Sequence, residues 1–252
     1  MVSAKDLRVA PIKAADANRL VQRLHYSGKV VPNSQVHLGV FLGDRLEGAM
    51  QFGASMDKRK TQQLVENTSW NGFIELNRMA FSERLPRNSE SRAIAVAMKL
   101  LKKHYPHLEW VISFADGSQC GDGTIYRASG FLLTSIKPNK QILDWNGKRI
   151  AKKTLDHKNY PRPNGKYYSR HLLETGQAKP IPGFQLRYIY FLNPAARERL
   201  TVPILPFSRI AEMGATMYRG ESMRSKQATP GSTSEAAGQN RPERSNPLPE
   251  ET

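Results

Sequence analysis

The sequence has little cysteine, few acidic residues and no long apolar run, and each shortage excludes a class of protein. Its single cysteine, Cys120, cannot build a disulfide framework or a Cys-based zinc finger. No stretch approaches the ~18 consecutive apolar residues of a membrane span. The amino-terminal segment has no continuous apolar core of a secretory signal. We therefore expect a cytoplasmic protein without a membrane partner.

The scarcity of acidic residues leaves a large positive charge, because 38 basic residues face 22 acidic ones in 252. Residues 220–252 are rich in Pro, Gly, Ser, Glu and Gln, carry four basic and five acidic residues, and are predicted to be a disordered tail. Residues 1–219, the predicted folded domain, then carry +17. Such charge indicates a polyanion partner, most commonly nucleic acid, although a cationic surface kept for solubility would look the same.

The pattern of apolar residues predicts a mixed α/β fold. Ala14 to Tyr26, Asn88 to His104 and Gly121 to Ser129 are predicted as helices, between short β-rich runs in the order β-α-β-β-β-α-β-α-β. Residues 137–183 form an insertion before a last strand, Gln185 to Leu192, and mix basic and aromatic residues as either a DNA contact or a solvated loop would. The order resembles the acyl-CoA-dependent N-acetyltransferase (GNAT) fold, a central mixed sheet flanked by helices.

Two polar patches lie in the first half of the chain. His25 and Tyr26 end the first helix, either as a histidine favoured by the helix dipole with a packed tyrosine, or as part of a site. Arg78 lies in the run FIELNRMAF, and strict alternation places it on the face of Ile74 and Leu76. An arginine buried there needs an anionic partner, which is either a carboxylate or a phosphate.

The start of the long helix, RLPRNSESR, is a third patch. Free N–H groups of a first turn, hydroxyl groups and guanidinium groups make an anion site, which here would comprise Arg87, Asn88, Ser89 and Ser91. An ordinary helix capped by Asn88 or Ser89 explains the same residues. Proteins with the GNAT fold bind the coenzyme A pyrophosphate at the equivalent turn through a glycine-rich loop, and this sequence lacks those glycines.

The fourth patch follows a predicted central strand, in the run SFADGSQCGDGTIYR. Asp116 either accepts a proton, binds a metal or caps the next helix, and Tyr126 either donates a proton or stacks on a base. Polar groups and glycines that converge at a strand end favour a site. Cys120 could be a nucleophile, but the sequence favours a partly buried thiol without a catalytic role. The six histidines show no metal-binding spacing, so a metal site would need distant residues such as His25 and Asp116.

These patches together resemble the Mom family of phage DNA-modification proteins. The resemblance covers about Leu7 to Ile136 and is carried by His25-Tyr26, ELNR ending at Arg78, NSES ending at Ser91, and the SFAD to GTIY run. It implies a GNAT-like fold and an enzyme that adds a carbamoylmethyl (acetamido) group to N6 of adenine in double-stranded DNA. That modification protects phage or mobile-element DNA from host restriction in the bacterial cytoplasm.

The resemblance also implies roles for individual residues. The reaction centre would comprise His25, Tyr26, Asp116 and Tyr126, and the donor would be held by Arg78 and Ser91. Acetyl-CoA and a bound iron are implied as cofactors, although plain acetyl transfer would leave an amide on N6 and not a carbamoylmethyl group.

The position of N6 inside the duplex leads to a further expectation. A duplex adenine hides N6 in the stack, so we expect the enzyme either to flip the base out or to trap it unpaired, and Tyr26 or Tyr126 could then stack on it. The alternatives are an ordinary N-acetyltransferase acting on a protein or a small amine, and a nucleic-acid-binding protein without catalysis.

Overall fold

A computed structural model describes residues 3–118, 121–218 and 221–222. The twelve strands of this part of the chain are β1 (Leu7–Pro11), β2 (Ser34–Leu42), β3 (Arg45–Gly53), β4 (Phe73–Phe81), β5 (Trp110–Asp116), β6 (Leu132–Pro138), β7 (Ile142–Trp145), β8 (Lys148–Ala151), β9 (Ala178–Pro180), β10 (Phe184–Phe191), β11 (Met217–Tyr218) and β12 (Glu221–Ser222). Its α-helices are α1 (Ala14–Leu24), α2 (Lys58–Gln62), α3 (Ser89–His104), α4 (Thr124–Ala128), α5 (Lys152–Leu155), α6 (Tyr168–Glu174) and α7 (Ser208–Glu212). Short 3-10 helices span Ala4–Asp6, Pro163–Gly165 and Pro194–Arg199.

The main sheet has seven strands in the order β1-β2-β3-β4-β5-β10-β6. Its neighbours are antiparallel except β4 and β5, which run parallel. The face that carries α3 and α4 holds the main core, in which Phe52, Ile94 and Leu133 are fully buried. The helix α1 packs on the other face, against Ala49. The predicted mixed sheet with flanking helices is confirmed, as is the return of a last strand after an insertion.

The strands β4 and β5 pair only over their first three residues. Phe73, Ile74 and Glu75 lie opposite the first three residues of β5, and the ladder stops at the pair Glu75 and Ile112. Because parallel strands end at the same edge of a sheet, their separation opens a cleft between the two carboxyl ends.

A β-bulge at Asn77 reverses the side-chain alternation of β4. Phe52 pairs with Leu76 while Gln51 pairs with Arg78, so Asn77 is the extra residue of the bulge. Directly paired residues share a face, so Leu76 joins Phe52 in the main core and Arg78 joins Gln51 on the α1 face. The prediction that Arg78 shares a face with Leu76 is wrong, because strict alternation does not survive a bulge.

The segment between β6 and β10 folds around a core of its own. A three-stranded sheet in the order β8-β7-β9 packs with α5 and α6, and its fully buried residues include Leu143, Leu155 and Leu172. The segment leaves and rejoins the main sheet at one point, because Pro138 of β6 pairs directly with Phe184 of β10.

The predicted disordered tail, 220–252, lies outside the described residues except for β12, which pairs with β11. Cys120 also lies outside them. Within the described ranges, no helix is long and apolar enough to cross a bilayer.

Candidate active site

The end of α1 presents a neutral histidine beside an exposed tyrosine. The Ser27 backbone N–H donates to His25 Nδ1 at 3.1 Å, and Ser27 Oγ lies 2.9 Å from the same nitrogen. Burial and, to a lesser extent, the charge of Arg78 lower the pKa of His25 to about 4. Because Nδ1 accepts a hydrogen bond from the Ser27 amide, the proton of the neutral ring lies on Nε2. The Tyr26 ring lies 4.2 Å from that imidazole, centroid to centroid, and Tyr26 is 55% exposed.

Arg78 ties β4 to the loop that follows α1. Its Nε donates to the Lys29 carbonyl at 3.1 Å and its Nη1 donates to the Asn77 carbonyl at 2.7 Å. Burial lowers its pKa, whereas the neighbouring Tyr26 and Glu75 act in the opposite direction. Arg78 therefore lies beside the pair predicted for the reaction centre. Its predicted role in holding the donor stays a prediction.

Glu75 is a site residue that sequence reasoning missed. Burial raises the pKa of this carboxyl group, against opposing effects of its neighbours that include Asn77 and Arg78. A glutamate inside a largely apolar strand was a visible signal, but alternation assigned it to the face opposite Arg78. The bulge brings Glu75 and Arg78 to the same face.

Asp116 ends β5 and is held by the turn that follows. Its Oδ1 accepts hydrogen bonds from the Ser118 backbone N–H at 3.1 Å and from the Ser118 hydroxyl. Burial raises the pKa of Asp116, and these two hydrogen bonds oppose the shift. Asp116 does not cap α4, whose N-cap is Gly123. Gly183 packs so closely on this turn that a Cβ there would lie 2.7 Å from Ser118 Cα.

The predicted groups of β4 and β5 share the face of the sheet that carries α1. Phe73 and Trp110 stack on that face with ring centroids 4.5 Å apart. Because alternate residues of a strand share a face, Glu75 follows Phe73 and Asp116 follows Trp110 onto it. His25, Tyr26, Glu75 and Arg78 therefore lie together on the α1 face, and Asp116 lies on the same face at the end of β5.

Tyr126 lies on the other side of the sheet, in the main core. It is 8% exposed, and its ring centroid lies 5.5 Å from that of Phe131 and 5.3 Å from that of Tyr188. With its ring packed in this way, Tyr126 has no open face for a nucleobase, so the predicted stacking role is wrong for this residue. Its predicted role as a catalytic group stays a prediction.

A groove of about 550 Å³ lies at the start of α3 and beside α4. Arg87, Asn88 and Ser91 line it, together with Glu90 and Thr124. Asn88 has the left-handed φ of 68°, which asparagine adopts more readily than most residues with a side chain. The N–H groups of the first turn of α3 have no acceptor within the helix, which makes this end of the groove suitable for an anion.

The serine side chains of this turn bond to the turn itself. The Ser89 hydroxyl is buried and donates to the Pro86 carbonyl, and the Ser91 hydroxyl donates to the Asn88 carbonyl at 3.2 Å. Asn88 occupies the N-cap of α3 as one of the two predictions had it, but its side chain makes no capping hydrogen bond. Ser89 supports the turn, whereas Arg87, Asn88 and Ser91 face the groove.

The described residues hold no group of three or more His, Cys, Asp or Glu side chains that could bind a metal ion. The pair suggested from the sequence, His25 and Asp116, is thus without a third such ligand in that part of the chain. The donor set does not fit a resident iron, and no step is assigned to one.

The comparison with known sequences decides the family. A family profile described as Mom protein family matches residues 6–209. The chain belongs to the Mom family. Among its relatives in that family, the protein named methylcarbamoylase mom from Escherichia phage Mu is 38% identical over 204 residues, which cover 80% of this chain and 82% of that protein.

Solved acetyltransferase structures share a lower similarity with this Mom protein. A Bacillus subtilis acetyltransferase in complex with CoA is 12% identical, with a TM-score of 0.43 over 73% of this chain and 98% of that one. The ribosomal-protein-S18-alanine N-acetyltransferase of Escherichia coli is 9% identical, with a TM-score of 0.41 over 74% and 94% of the two chains.

Proposed function

We propose that this Mom protein adds a carbamoylmethyl group to N6 of adenine in double-stranded DNA and so protects phage or mobile-element DNA from restriction. The observation that carries the proposal is the 38% identity to the methylcarbamoylase of phage Mu across about four fifths of both chains. The net charge of +16 fits a DNA substrate. Host DNA lies in the bacterial cytoplasm, so the reaction would take place there.

The two reactants would bind on opposite faces of the sheet. The flipped adenine would enter on the α1 face, where His25, Glu75, Arg78 and Asp116 gather, and the donor would lie in the groove at α3. The ladder between β4 and β5 ends at Glu75 and Ile112, and the reacting atoms would meet beyond that point, between Glu75 and Asp116 at the strand ends.

The titratable groups of this face suit an amine that must lose a proton. N6 of adenine exchanges one hydrogen for carbon in the modification, so a proton acceptor is required. Asp116, whose pKa is raised by burial, accepts a proton more readily than an ordinary surface carboxylate. His25 is neutral at pH 7 and presents Nε2–H, which would donate a hydrogen bond to a ring nitrogen of the base.

For the donor we propose an acyl-CoA, with acetyl-CoA as the first candidate. The groove at α3 supplies what a diphosphate needs, namely first-turn N–H groups, the guanidinium group of Arg87 and the left-handed turn at Asn88. A thioester is activated at its carbonyl carbon, whereas the modification joins N6 to the methylene carbon and also needs an amide nitrogen. The proposal for an acyl-CoA therefore concerns binding in the groove, and no transfer step is assigned to it.

We also propose that residues 137–183 of the domain 1–219 contact DNA next to the reaction centre. They carry eleven basic and three acidic residues, a net charge of +8. The cations Lys148, Arg149, Lys153 and Lys158 are exposed. The carboxyl end of the insertion packs on the turn that holds Asp116, through Gly183 and Ser118. Phosphate contacts there would hold the duplex close to Asp116.

The test is mass spectrometry of nucleosides from the DNA of cells that express the chain. We expect a deoxyadenosine species heavier by one carbamoylmethyl group, and its loss in Asp116→Asn, which keeps the oxygen that Ser118 binds. Unmodified deoxyadenosine from cells with folded protein would contradict the proposal. Acetyl-CoA turnover on an amine panel in that case would select the ordinary N-acetyltransferase.

A further inference from the structure

We propose that Phe114 is the platform on which the ring of the flipped adenine stacks. The proposal rests on the function proposed above and names the residue that would recognise the base. Phe114 lies in β5, with β4 on one side and β10 on the other, yet it is 47% exposed. A large aromatic side chain in the middle of a sheet usually packs beneath a covering layer. The exposure of the Phe114 ring therefore indicates a surface on which a planar ligand can stack.

The position of Phe114 on its strand puts the ring at the reaction centre. Phe114 lies between Ile112, which pairs with Glu75, and Asp116, which ends the strand. Since alternate residues share a face, all three point to the α1 side of the sheet. The ring is thus flanked by two carboxyl groups whose pKa values burial raises. A purine amine held on this ring would have a proton acceptor on either side.

The neighbours of Phe114 leave the ring accessible. On one side, the ladder between β4 and β5 has already ended at Ile112, so the cleft borders the ring. On the other side, Arg187 is its direct partner in β10. Arg187 donates from Nε to the Thr134 hydroxyl at 2.9 Å and from Nη2 to the Thr134 carbonyl at 3.1 Å. Those hydrogen bonds draw the guanidinium group toward β6 and away from Phe114.

A nucleobase is the occupant that this chemistry favours. Every base has a π-face that stacks on an aromatic ring, and the polar edge of adenine needs donors and acceptors at the rim of the platform. His25 Nε2–H and the carboxylates Glu75 and Asp116 lie on the same face and provide both. Of the two rings predicted to stack, Tyr126 is buried on the opposite side of the sheet, and Tyr26 is exposed beside His25.

The test compares Phe114→Leu, which keeps an apolar side chain without a π-face, with Phe114→Trp, which keeps one. Tyr105→Leu, at the exposed end of α3, is the matched control. We expect Phe114→Leu to lower kcat/KM for adenine modification roughly ten- to a hundredfold, and Phe114→Trp and Tyr105→Leu to stay within about threefold of the unaltered protein. Circular dichroism checks that each variant is folded, which is expected because the ring is exposed.

A binding measurement separates this proposal from the proposed function. Fluorescence anisotropy gives the ratio of affinities for two duplexes, one with adenine opposite an abasic site and one fully paired. Unpaired adenine needs less energy to leave the stack, so the unaltered protein and Phe114→Trp should prefer it, and Phe114→Leu should lose that preference.

Each outcome has a distinct meaning. A preference that depends on Phe114 in a protein that modifies no adenine would support the platform and refute the chemistry. An active Phe114→Leu with unchanged kcat/KM and preference would overturn the platform and leave the chemistry intact. A Phe114→Trp variant as impaired as Phe114→Leu would also overturn it, because stacking tolerates a larger ring.

Discussion

Glu75 and Arg78 point to the same face of β4 although three positions separate them, because the bulge at Asn77 shifts the alternation by one residue. The consequence is a carboxyl group and a guanidinium group held close to each other beside His25. The Arg78 side chain also fixes the loop after α1, since it donates to carbonyl groups of Lys29 and Asn77. Arg78 therefore has two candidate roles, which are the positioning of His25 and the binding of the donor.

We expect Arg78→Lys to lower modification activity at least tenfold, because lysine keeps the charge but cannot make both hydrogen bonds in the same geometry. The free energy of unfolding should fall by about 1 kcal/mol. Steady-state kinetics distinguish the roles. A positioning role changes kcat and the KM for DNA, whereas a donor-binding role raises the KM for the donor alone. Arg209→Lys alters a surface ion pair with Glu212 and is the control, which should leave kcat and both KM values unchanged.

A second prediction concerns the pH dependence of stability through His25. The pKa is about 4 in the folded protein and about 6.5 in the unfolded chain. The unfolded chain therefore binds the proton first, and stability is lost as the pH falls from 6.5 toward 4. We expect roughly 1–2 kcal/mol of loss between pH 7 and pH 5 from this residue. Urea unfolding at both pH values measures the loss.

The matched variant is His25→Asn, whose side-chain oxygen can accept the Ser27 N–H in place of Nδ1. The variant should show a correspondingly smaller difference between the two pH values. Equal differences in both proteins would show that His25 titrates normally. Comparison of the two proteins removes the opposite contributions of Glu75 and Asp116, whose raised pKa values favour the folded state at low pH.

A third prediction tests the groove at α3 through the left-handed Asn88. Asn88→Ala should raise the KM for the donor severalfold and lower the free energy of unfolding by about 1 kcal/mol, because alanine adopts a φ of 68° with strain. Asn88→Gly should keep both close to the unaltered values. An Asn88→Gly variant as impaired as Asn88→Ala would mean that the side chain, and not the backbone turn, binds the donor.

A fourth prediction concerns the basic insertion. We expect the double variant Lys148→Ala, Arg149→Ala to reduce the slope of log affinity for duplex DNA against log salt by about 1.8, if each cation contacts one phosphate. Lys102→Ala, Lys103→Ala, on the exposed end of α3, is the charge-matched control and should leave the slope unchanged. The same reduction in both variants would mean that binding follows net charge and not the insertion.

The sequence predicted most strands of the main sheet and the order of elements along the chain, because apolar periodicity reports which side of each strand is buried. It misassigned Arg78, since a bulge depends on the pairing with β3 and leaves no local pattern. It predicted Asn88 or Ser89 at the N-cap, and Asn88 is there, but without the side-chain hydrogen bond of an ordinary cap, while the Ser89 hydroxyl bonds to the Pro86 carbonyl.

Two site features needed the three-dimensional fold. Glu75 and Phe114 lie on neighbouring strands that only the parallel pairing of β4 and β5 brings together. Neither residue stands out in its own segment. Apolar periodicity reports neither the pairing of β4 with β5 nor the places where the sheet is left uncovered, and the exposure of Phe114 depends on the latter.

Pro138 and Phe184 are direct partners in one strand ladder, so the chain departs from the sheet and returns to it through a gap only one strand spacing wide. Any segment with similarly close ends can be spliced into that gap without stretching β6 or β10. If the insertion contacts DNA as proposed, a different DNA-binding segment could be inserted at this position while Asp116 and the groove at α3 keep their geometry. Target choice could then be altered separately from the modification chemistry.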